Sequence, residues 1–458
     1  MTDRDKPTHA PDDEKGLLDK LLSIFADVRG GEGLTAVVMT FTVLLLLVSY
    51  YLLKTVREPL IIAGGGAEVK SYATAGQAVL LVGFVQVYAV LTRRLKRMTL
   101  ITVTYSFFAA NLVIFWLLAS IGVPYLGVAF FLWLGCFSLT VIAQFWSFAN
   151  DIYNEEQGKR LFAIVGIGSS VGAVAGSALA KQLIKPLGPY PMMLVAAAIL
   201  GVCLGLIWFV NKHEDARPKA AKTDAKPVGG KAGFAMLLED RYLLLIGAII
   251  LLLNWVNTTG EYILDKRIIE GAAATMAPGL SEEAKSKALE VFVGEFRGDF
   301  FFWVNLIGAG VQMLLVSRIF KYLGVRTALY SLPIIGLFAY GVMAFFPVLA
   351  LVRIAKIAEN SCDYSLYNTA KQALWLPTNR AAKYNAKAAI DTFVVRAGDL
   401  LSGAVVFIGT AVGLAVTHFA LINIALIGVW LFMVVLINRE HRKRTGEEPT
   451  ETARSATA

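Results

Sequence analysis

The chain has 458 residues, of which 57% are hydrophobic and 17% are charged, and its mean hydropathy is +0.62. Soluble globular domains carry about 25% charged residues, so this composition excludes that class and indicates a polytopic membrane protein. The formal net charge is +9. Because the basic residues lie in short segments between apolar stretches, this charge follows the positive-inside pattern and predicts no nucleic-acid partner.

The chain begins with an acidic segment, residues 1–15, that has no apolar core and does not resemble a cleaved signal peptide. In residues 16–28 apolar side chains recur at helical spacing. This pattern predicts an amphipathic helix lying in the membrane interface, and a partner-binding helix is the alternative.

Windows of about 20 apolar residues, the length that crosses a bilayer, recur along the rest of the chain. They predict an all-α membrane protein with about twelve transmembrane helices. The windows are 35–56, 74–92, 98–120, 124–148, 161–184, 190–210, 241–264, 300–317, 325–346, 347–371, 388–413 and 416–437.

The loops after the second, fourth, eighth and tenth windows are basic, whereas those after the third and ninth hold no Lys or Arg. This asymmetry places both termini in the cytoplasm. The longer stretch between the seventh and eighth windows, residues 267–299, is expected to be an extracytoplasmic loop that contains a helix-like polar stretch at 281–290, and it is assigned no chemistry.

A polar stretch in the middle of the chain divides six windows from six. Two six-helix halves in parallel repeat are the plan of the major facilitator fold, whose substrate site lies near the midplane between the halves. The predicted division is a tail at 1–33, an N-terminal half at 34–211, a linker at 212–240, a C-terminal half at 241–438 and a tail at 439–458.

The tenth window carries polar residues at steps of three and four, which fall on one face of a helix. An ionisable group at the bilayer centre costs about 3 kcal/mol, so such groups face a bundle interior or a wet cavity. Snorkelling at a helix end explains only the first and last of the set. The face therefore predicts one wall of a polar pathway, formed by Arg353, Lys356, Asn360, Asp363, Tyr367 and Lys371.

Other spans carry further candidates. Charges at the ends of the first and seventh windows are interpreted as matched gates, with interfacial anchoring as the alternative for Lys266. The fourth and eleventh windows add further polar groups, of which Arg396 lies deep enough to need a partner or an anionic ligand. These candidates are Arg57, Glu58, Glu261, Lys266, Asn150, Asp151, Lys387, Asp391, Arg396 and Asp399.

Arginine and lysine in a low-dielectric cavity suit phosphate or carboxylate groups, since charge-assisted hydrogen bonds are strong there. The interleaved carboxylates are interpreted as charge-pair or gating groups that neutralise the empty site. Tyr367, Tyr364 and Trp146 offer either a flat face for a base or ordinary packing.

The sequence contains no catalytic or metal-ligand constellation, so no enzyme activity, metal or cofactor is expected. Its three cysteines lie inside apolar windows without metal-ligand spacing. No Gly-Lys-Ser/Thr phosphate loop occurs. Gly168, Gly172 and Gly176 instead form a small-residue stripe for close helix packing. A monomer fits the sequence, and a dimer through this stripe stays open.

Several segments resemble the ATP/ADP translocases, the nucleotide transporters of plastids and intracellular bacteria. Residues 53–60 (LKTVREPL) with 66–69 (GAEV) are similar to the family's first-span block. Residues 148–152 (FANDI), 159–162 (KRLF) and 166–168 (GIG) are similar to a second block. Residues 363–367 (DYSLY), 371–372 (KQ), 387–391 (KAAID) and Arg396 are similar to a third.

The resemblance implies a major-facilitator-type nucleotide transporter in a bacterial-type inner membrane, exchanging ATP for ADP. The family's charged positions fall on Arg57, Glu58, Asp151, Glu261, Lys371 and Lys387. Two departures stand out: Gln372 replaces the family's Glu, and Asp399 replaces its Lys. A transporter of another anionic metabolite or a proton-coupled solute is the alternative, and a membrane anchor or sensor that transports nothing is a third reading.

Overall fold

The computed structural model describes residues 32–153, 155–215, 233–379 and 382–445. All regular secondary structure in these ranges is helical, which confirms the predicted all-α class. Three short π-helical segments lie at Asp363–Tyr367, Ala382–Ala386 and Ile390–Val394. The α-helices are α1 (Gly33–Arg94), α2 (Arg97–Ser120), α3 (Leu126–Ile152), α4 (Glu155–Leu187), α5 (Pro189–Asp215), α6 (Gly233–Glu239), α7 (Arg241–Thr275), α8 (Glu282–Leu314), α9 (Val316–Tyr322), α10 (Gly324–Ala328), α11 (Ser331–Phe345), α12 (Leu349–Cys362), α13 (Asn368–Ala373), α14 (Lys387–Ala389), α15 (Val395–Ala411) and α16 (Val416–Thr445).

Some sequence predictions fall on other parts of the chain. The interfacial helix expected at 16–28 lies outside the described residues, as do positions 216–232 of the expected linker. Within that linker range, α5 continues to Asp215 and the short helix α6 precedes α7.

The longest helix, α1, is two helices joined at a break. Its 62 residues would extend about 93 Å if continuous, three times the apolar thickness of a bilayer. Gly66 interrupts it with φ 75° and ψ −175°, a left-handed conformation that favours glycine. The break separates the first and second predicted spans.

Among the described residues, nine helices are long and apolar enough to cross a membrane. A tenth is reached if α8 and α9, which are bent by 44° at their junction, form one span. The 62-residue α1 counts once in this number, although it covers two predicted windows. At 14 residues α12 is too short to be counted. The number twelve stays a prediction.

The described chain forms two compact units. Of the described residues, unit 1 includes those within 32–56, 89–122 and 136–215. Unit 2 includes those within 57–88, 123–135 and 233–445. Residues 57–88 of α1 therefore belong to the same unit as α7 to α16.

In unit 1, the glycine stripe of α4 packs directly against the first half of α1. A Cβ atom at Gly172 would lie 2.5 Å from the carbonyl oxygen of Leu44, and one at Gly176 would lie 2.7 Å from Val48 Cα. These approaches leave no room for a side chain. Of the two interpretations of the stripe, the structure supports internal packing.

In unit 2, α7 packs against α15, α16, α12 and α8. It is therefore the central helix of this unit. The stretch 267–299 is mostly helical where a loop was expected, because α7 continues to Thr275 and α8 begins at Glu282. The start of α8 agrees with the helix-like stretch expected at 281–290. Ser281 caps α8 by accepting a hydrogen bond from Ala284 N at 3.2 Å. The charged first turns of α8 gave its sequence the appearance of a loop.

Candidate functional site

A group of charged side chains is buried inside unit 2. We call it the buried charge cluster. Glu261 is the most accessible member, with 24% of its side chain exposed, and every other member is less than one-tenth exposed. The members are Glu58, Lys70, Glu261, Asp265, Arg297, Lys356 and Glu359.

Four helices position these side chains. Glu261 and Asp265 are one turn apart on α7, and Lys356 and Glu359 share a face of α12. Arg297 comes from α8. Glu58 and Lys70 lie on the two sides of the Gly66 break. In one continuous helix they would be about 18 Å apart along the axis, so the break in α1 is what brings them together.

Arg297 lies at the centre of the cluster and is fully buried. Its Nη1 is 2.8 Å from Glu261 Oε2, its Nη2 contacts Asp265 Oδ1, and its Nε is 3.7 Å from Glu58 Oε2. The planar guanidinium can serve several carboxylates at once because its donors point in fixed, diverging directions. Arg297 therefore links α1, α7 and α8.

Lys70 links two of the same carboxylates. Its Nζ is 2.5 Å from Glu58 Oε2 and 2.7 Å from Asp265 Oδ2. Since Arg297 also contacts both Glu58 and Asp265, the four charges form a closed ring of alternating sign. Arg57 contributes at the edge of the ring, with its Nε 3.0 Å from Glu58 Oε1.

Lys356 forms the other end of the cluster. Its Nζ is 2.9 Å from Glu359 Oε2, 3.6 Å from Glu261 Oε1 and 3.1 Å from Asn257 Oδ1. The Tyr340 hydroxyl lies 3.0 Å from Glu359 Oε1. The space exists because residue 260 is glycine: a Cβ there would overlap the Tyr340 hydroxyl and lie 3.1 Å from Lys356 Nζ.

The cluster satisfies its own charges. Its three cations and four carboxylates, with Arg57 as a fourth cation, sum to zero formal charge. Every cation contacts at least one carboxylate within 4 Å, and every carboxylate at least one cation. Buried ions are tolerated only under this condition, and removing one partner of a buried pair costs about 3–5 kcal/mol.

The predicted residues Glu58, Glu261 and Lys356 are thus brought together, with Arg57 at the edge. Asn360 joins them by donating from Nδ2 to Glu261 Oε1 at 3.4 Å. Lys266 points elsewhere and pairs with Glu68, which also accepts from the Tyr262 hydroxyl at 3.2 Å.

A second set of predicted cations in unit 2 is more accessible. Lys371 Nζ is 3.4 Å from Asp363 Oδ1, and 19% of the Lys371 side chain is exposed. Lys387 Nζ donates to the neutral Gln372 Oε1 at 2.6 Å. Among the described residues Lys387 forms no ion pair within 4 Å. Asp391 is exposed.

Arg396 completes this accessible set. Its Nη1 is 2.9 Å from Asp399 Oδ2, and 28% of the Arg396 side chain is exposed. Each of the three cations Lys371, Lys387 and Arg396 has fewer counter-charges than Arg297 and is more exposed than Arg297.

The predicted continuous polar face from residue 353 to residue 371 is not observed. A π-helical turn at Asp363–Tyr367 interrupts the helix after α12, and an extra residue in a turn rotates the rest of the helix by about 100°. Arg353 pairs with Asp299. The N-terminal part of the face, Lys356 and Asn360, faces the cluster, whereas Lys371 pairs with Asp363.

Tyr367 is predicted either to offer a flat face to a base or to pack. It is fully buried. Its hydroxyl accepts a hydrogen bond from Trp430 Nε1 at 3.2 Å, and the two rings meet edge to face at 5.6 Å. Lys371 Nζ lies over the Tyr367 ring, 5.6 Å from its centroid, so in this conformation the ring is a packing element.

The predicted residues Asn150 and Asp151 belong to unit 1. Asn150 is exposed, and Asp151 Oδ2 lies 3.7 Å from Arg97 Nη1. Arg97 also donates to Asn211 Oδ1 at 2.6 Å and lies 5.3 Å from the Phe148 ring. Asp151 therefore takes part in a local charge pair of unit 1.

Sequence reasoning missed Lys70, Arg297 and Glu359. Arg297 lay in the stretch interpreted as a loop. Glu359 follows Lys356 by three residues, and this i,i+3 spacing was a usable signal for an ion pair. Lys70 had a signal in the glycine run at 64–66, which marks a break close to an ionisable residue.

Two family profiles and several individual proteins match this chain. The Major Facilitator Superfamily profile matches residues 147–358, and the TLC ATP/ADP transporter profile matches residues 302–441. ADP,ATP carrier protein 1 of Chlamydia pneumoniae is 22% identical over 370 residues, which is 70% of this chain and 68% of the relative. The chloroplastic ADP,ATP carrier protein 1 of Arabidopsis thaliana is 25% identical over 278 residues, 56% of this chain and 43% of the relative. The resemblance that the motifs predict is confirmed.

Solved structures agree in fold. The nucleoside transporter NupG superposes with a TM-score of 0.56 at 10% identity, covering 89% of this chain and 98% of that one. The POT family transporter PepTSo gives 0.61 at 11% identity, covering 90% and 99%. The chain is an all-α polytopic membrane protein of the major facilitator type.

Proposed function

We propose that this chain, similar as it is to ATP/ADP transporters, is an integral membrane transporter that exchanges nucleotides of the ATP/ADP type by alternating access. The sequence relatives support the cargo class. The observation that carries the mechanism is the buried charge cluster, in which residues from before and after the predicted linker form ion pairs that can break and re-form.

The cluster has the composition of a gate. Glu58 and Lys70 come from the predicted N-terminal half, and Asp265 and Arg297 from the C-terminal half. With both termini in the cytoplasm, the ends of the first and seventh spans face the outer side. The ring of Glu58, Lys70, Asp265 and Arg297 then closes the outer side, and Glu68 with Lys266 adds a second pair nearby.

Opening this gate requires the ion pairs between the two halves to separate. The separated charges need water or cargo in exchange for their partners, because an unpaired buried charge is costly. Ion pairs broken on one side and re-formed in the alternate conformation let the halves rock between two states of similar free energy.

The accessible cations bind the phosphate groups of the nucleotide. Lys371, Lys387 and Arg396 lie in α13 to α15, and Arg57 lies beside the gate. Charge-assisted hydrogen bonds from lysine and arginine to phosphate are strong in a low-dielectric cavity. Lys356, Asn360 and Tyr367 act from within the packed interior by positioning Glu261 and the π-helical turn.

A transporter for another anionic metabolite or a proton-coupled solute is the second candidate. It is favoured by one contact: Asp399 pairs with Arg396 and so reduces the positive charge offered to a polyphosphate. The protein is proposed to act as a monomer in a bacterial-type inner membrane, without enzyme activity and without a nucleic-acid partner.

The test is uptake of α-labelled ATP, ADP and a non-nucleotide phosphate ester into proteoliposomes preloaded with each compound. Uptake of labelled nucleotide that requires internal nucleotide supports the exchanger. Lys371→Ala and Arg396→Ala are expected to abolish it, while Lys443→Ala, which alters an exposed residue of the last helix, is expected to have no effect. Folded protein that takes up only the phosphate ester would favour the second candidate.

A further inference from the structure

Asp399 on α15 is a buried carboxylate with a single charged partner. Its Oδ2 is 2.9 Å from Arg396 Nη1, and its Oδ1 accepts a hydrogen bond from the Thr258 hydroxyl at 2.9 Å. The Asp399 side chain is 9% exposed. Thr258 is neutral, so Arg396 supplies the only ion pair of Asp399 among the described residues.

The other charged groups on the elements that pack against α15 have partners of their own. On α7, Glu261 is paired with Arg297 and Lys356. On α1, Lys70 is paired with Glu58 and Asp265. In the π-helical segment that precedes α15, Asp391 lies near Lys387 and Lys371. The charge on Asp399 is therefore balanced by Arg396 and by no neighbouring element.

Arg396 is the more accessible of the two, with 28% of its side chain exposed against 9% for Asp399. A guanidinium has five N–H donors, and one of them contacts Asp399. An anion that approaches this pair meets Arg396 first, because Arg396 is the more exposed partner and its charge attracts the anion.

A phosphate bound to Arg396 changes the electrostatic surroundings of Asp399. The guanidinium is then shared between two anions, and a second negative charge lies beside a buried carboxylate. Like charges at one site favour the neutral form of the buried group. The neutral carboxylic acid can keep its contact with the Thr258 hydroxyl, which donates or accepts as required.

We propose that Asp399 is a proton-binding site coupled to the cargo: it takes up one proton when an anionic group binds Arg396 and returns it when that group leaves. The step balances, since a carboxylate and a proton from water give a carboxylic acid while the phosphate binds as an anion without bond cleavage. The inference rests on the proposed nucleotide transport, and the proton makes the net charge of the loaded carrier more positive by one, which offsets one negative charge of the bound anion.

The test measures protons taken up on binding. The full chain in detergent is titrated with ADP by isothermal calorimetry in two buffers of different ionisation enthalpy, from about pH 5.5 to pH 8.5. A free phosphate monoester itself titrates near pH 6, so the difference between variants at about pH 8 assigns the proton. Wild type is expected to take up about one proton more per ADP than Asp399→Asn.

Three further variants keep the result interpretable. Asp391→Asn tests the carboxylate near Lys387 and Lys371 as the alternative proton acceptor. Glu282→Gln, at a side chain that is 91% exposed, is the control and should retain the wild-type proton uptake. If Asp399→Asn does not fold, Thr258→Val removes the second contact of Asp399 and should shift the pH midpoint of proton uptake by at least half a unit.

The outcomes distinguish a failure of the proton coupling from a failure of the proposed nucleotide transport. ADP binding with equal proton uptake in wild type and Asp399→Asn overturns the coupling and leaves nucleotide transport standing. Proton uptake that depends on Asp391 in place of Asp399 also overturns it. Folded wild type that binds no ADP overturns the proposed function, and the coupling with it.

Discussion

Glu58 precedes the predicted linker and Arg297 comes after it, yet Glu58 Oε2 lies 3.7 Å from Arg297 Nε inside one packed unit. The contact joins the two halves of the sequence at a site with almost no exposure. If one partner of this ion pair is removed, the other charge stays buried without it. The resulting loss of stability can be measured.

Arg297→Gln should destabilise the protein strongly. It leaves Glu58, Glu261 and Asp265 without their shared cation, so we expect the free energy of unfolding to fall by about 3–5 kcal/mol. Thermal unfolding in detergent measures the loss. Arg318→Gln is the matched control, because Arg318 is exposed and donates only to a backbone group, the Leu314 carbonyl oxygen at the end of α8. Its effect should stay within about 0.5 kcal/mol. Equal losses in the two variants would contradict a central role for Arg297.

Locking the pair Glu68 and Lys266 should stop exchange. In Glu68→Cys with Lys266→Cys, a short bifunctional thiol reagent is expected to block nucleotide exchange in proteoliposomes, and a reductant should restore it, because the gate cannot open while its sides are joined. The described native cysteines are buried, so the reagent reacts at the new positions. Glu282→Cys with Lys285→Cys, an i,i+3 pair on α8, is the control for cross-linking without loss of exchange. Full exchange in the locked form would be incompatible with the proposed gate.

Gln372→Glu should weaken cargo binding. The new carboxylate would take the place of an amide oxygen that lies 2.6 Å from Lys387 Nζ, so phosphate would have to compete for that lysine. A hydrogen bond to a charged group contributes about 1.5–3 kcal/mol, which predicts an increase of about tenfold or more in the ADP dissociation constant. Gln312→Glu on neighbouring α8 is the control, as Gln312 contacts only the hydroxyl of Thr369 among the described residues. An unchanged dissociation constant in Gln372→Glu would separate Lys387 from cargo binding.

Stability should depend on pH through Asp240, the N-cap of α7. Burial would raise the pKa of Asp240, but the hydrogen bonds from Arg444 and the Tyr242 backbone N–H outweigh burial and hold that pKa below its ordinary value. A carboxyl whose pKa is lower in the folded state stabilises it above the unfolded pKa of about 3.9, and this contribution is lost as the pH falls through the folded pKa.

The measurement compares the melting temperatures of wild type and Asp240→Asn from about pH 3 to pH 7. Asparagine keeps a capping oxygen but loses the ion pair with Arg444 at 2.6 Å. We expect wild type to be more stable at pH 6 and the difference to disappear near pH 3. Glu282→Gln, at a side chain that is 91% exposed, should give no such difference. A gap between wild type and Asp240→Asn that is constant over this range would exclude the titration of Asp240 as its cause.

The glycine stripe of α4 should tolerate no side chain. Gly172→Val places its Cβ 2.5 Å from the carbonyl oxygen of Leu44, so α4 and α1 must separate and the yield of folded protein should collapse. Gly166→Ala meets open space and should be neutral or slightly stabilising, because alanine favours a helix by up to about 1 kcal/mol over glycine. Size-exclusion profiles of the two variants make the comparison.

The sequence was informative about which polar residues had to be buried. Glu261 and Lys356 lie in apolar windows and Glu58 lies just after one, and the cost of ionisable groups in a bilayer predicts that they face inward. The sequence did not show which residue each of these charges would pair with. Lys70 meets Glu58 only because of the backbone conformation at Gly66, and Arg297 lies in a charged helix start that has the composition of a loop.

The π-helical turn at Asp363–Tyr367 had no signal in the sequence, since its residues also suit an α-helix. Tertiary packing decides between the two forms. For that reason the polar face predicted from continuous α-helical geometry describes the structure as far as Asn360 and does not describe it at Tyr367 and Lys371.

The buried charge cluster also sets how the transporter should respond to temperature. Opening the gate hydrates ions that are dry in the closed form, and the hydration of charged groups carries a strongly negative entropy. Warming therefore makes hydration less favourable and shifts the balance toward the paired, closed state. In a carrier with such a cluster, warming favours the closed state, although it also speeds each crossing of the barrier between the closed and open states.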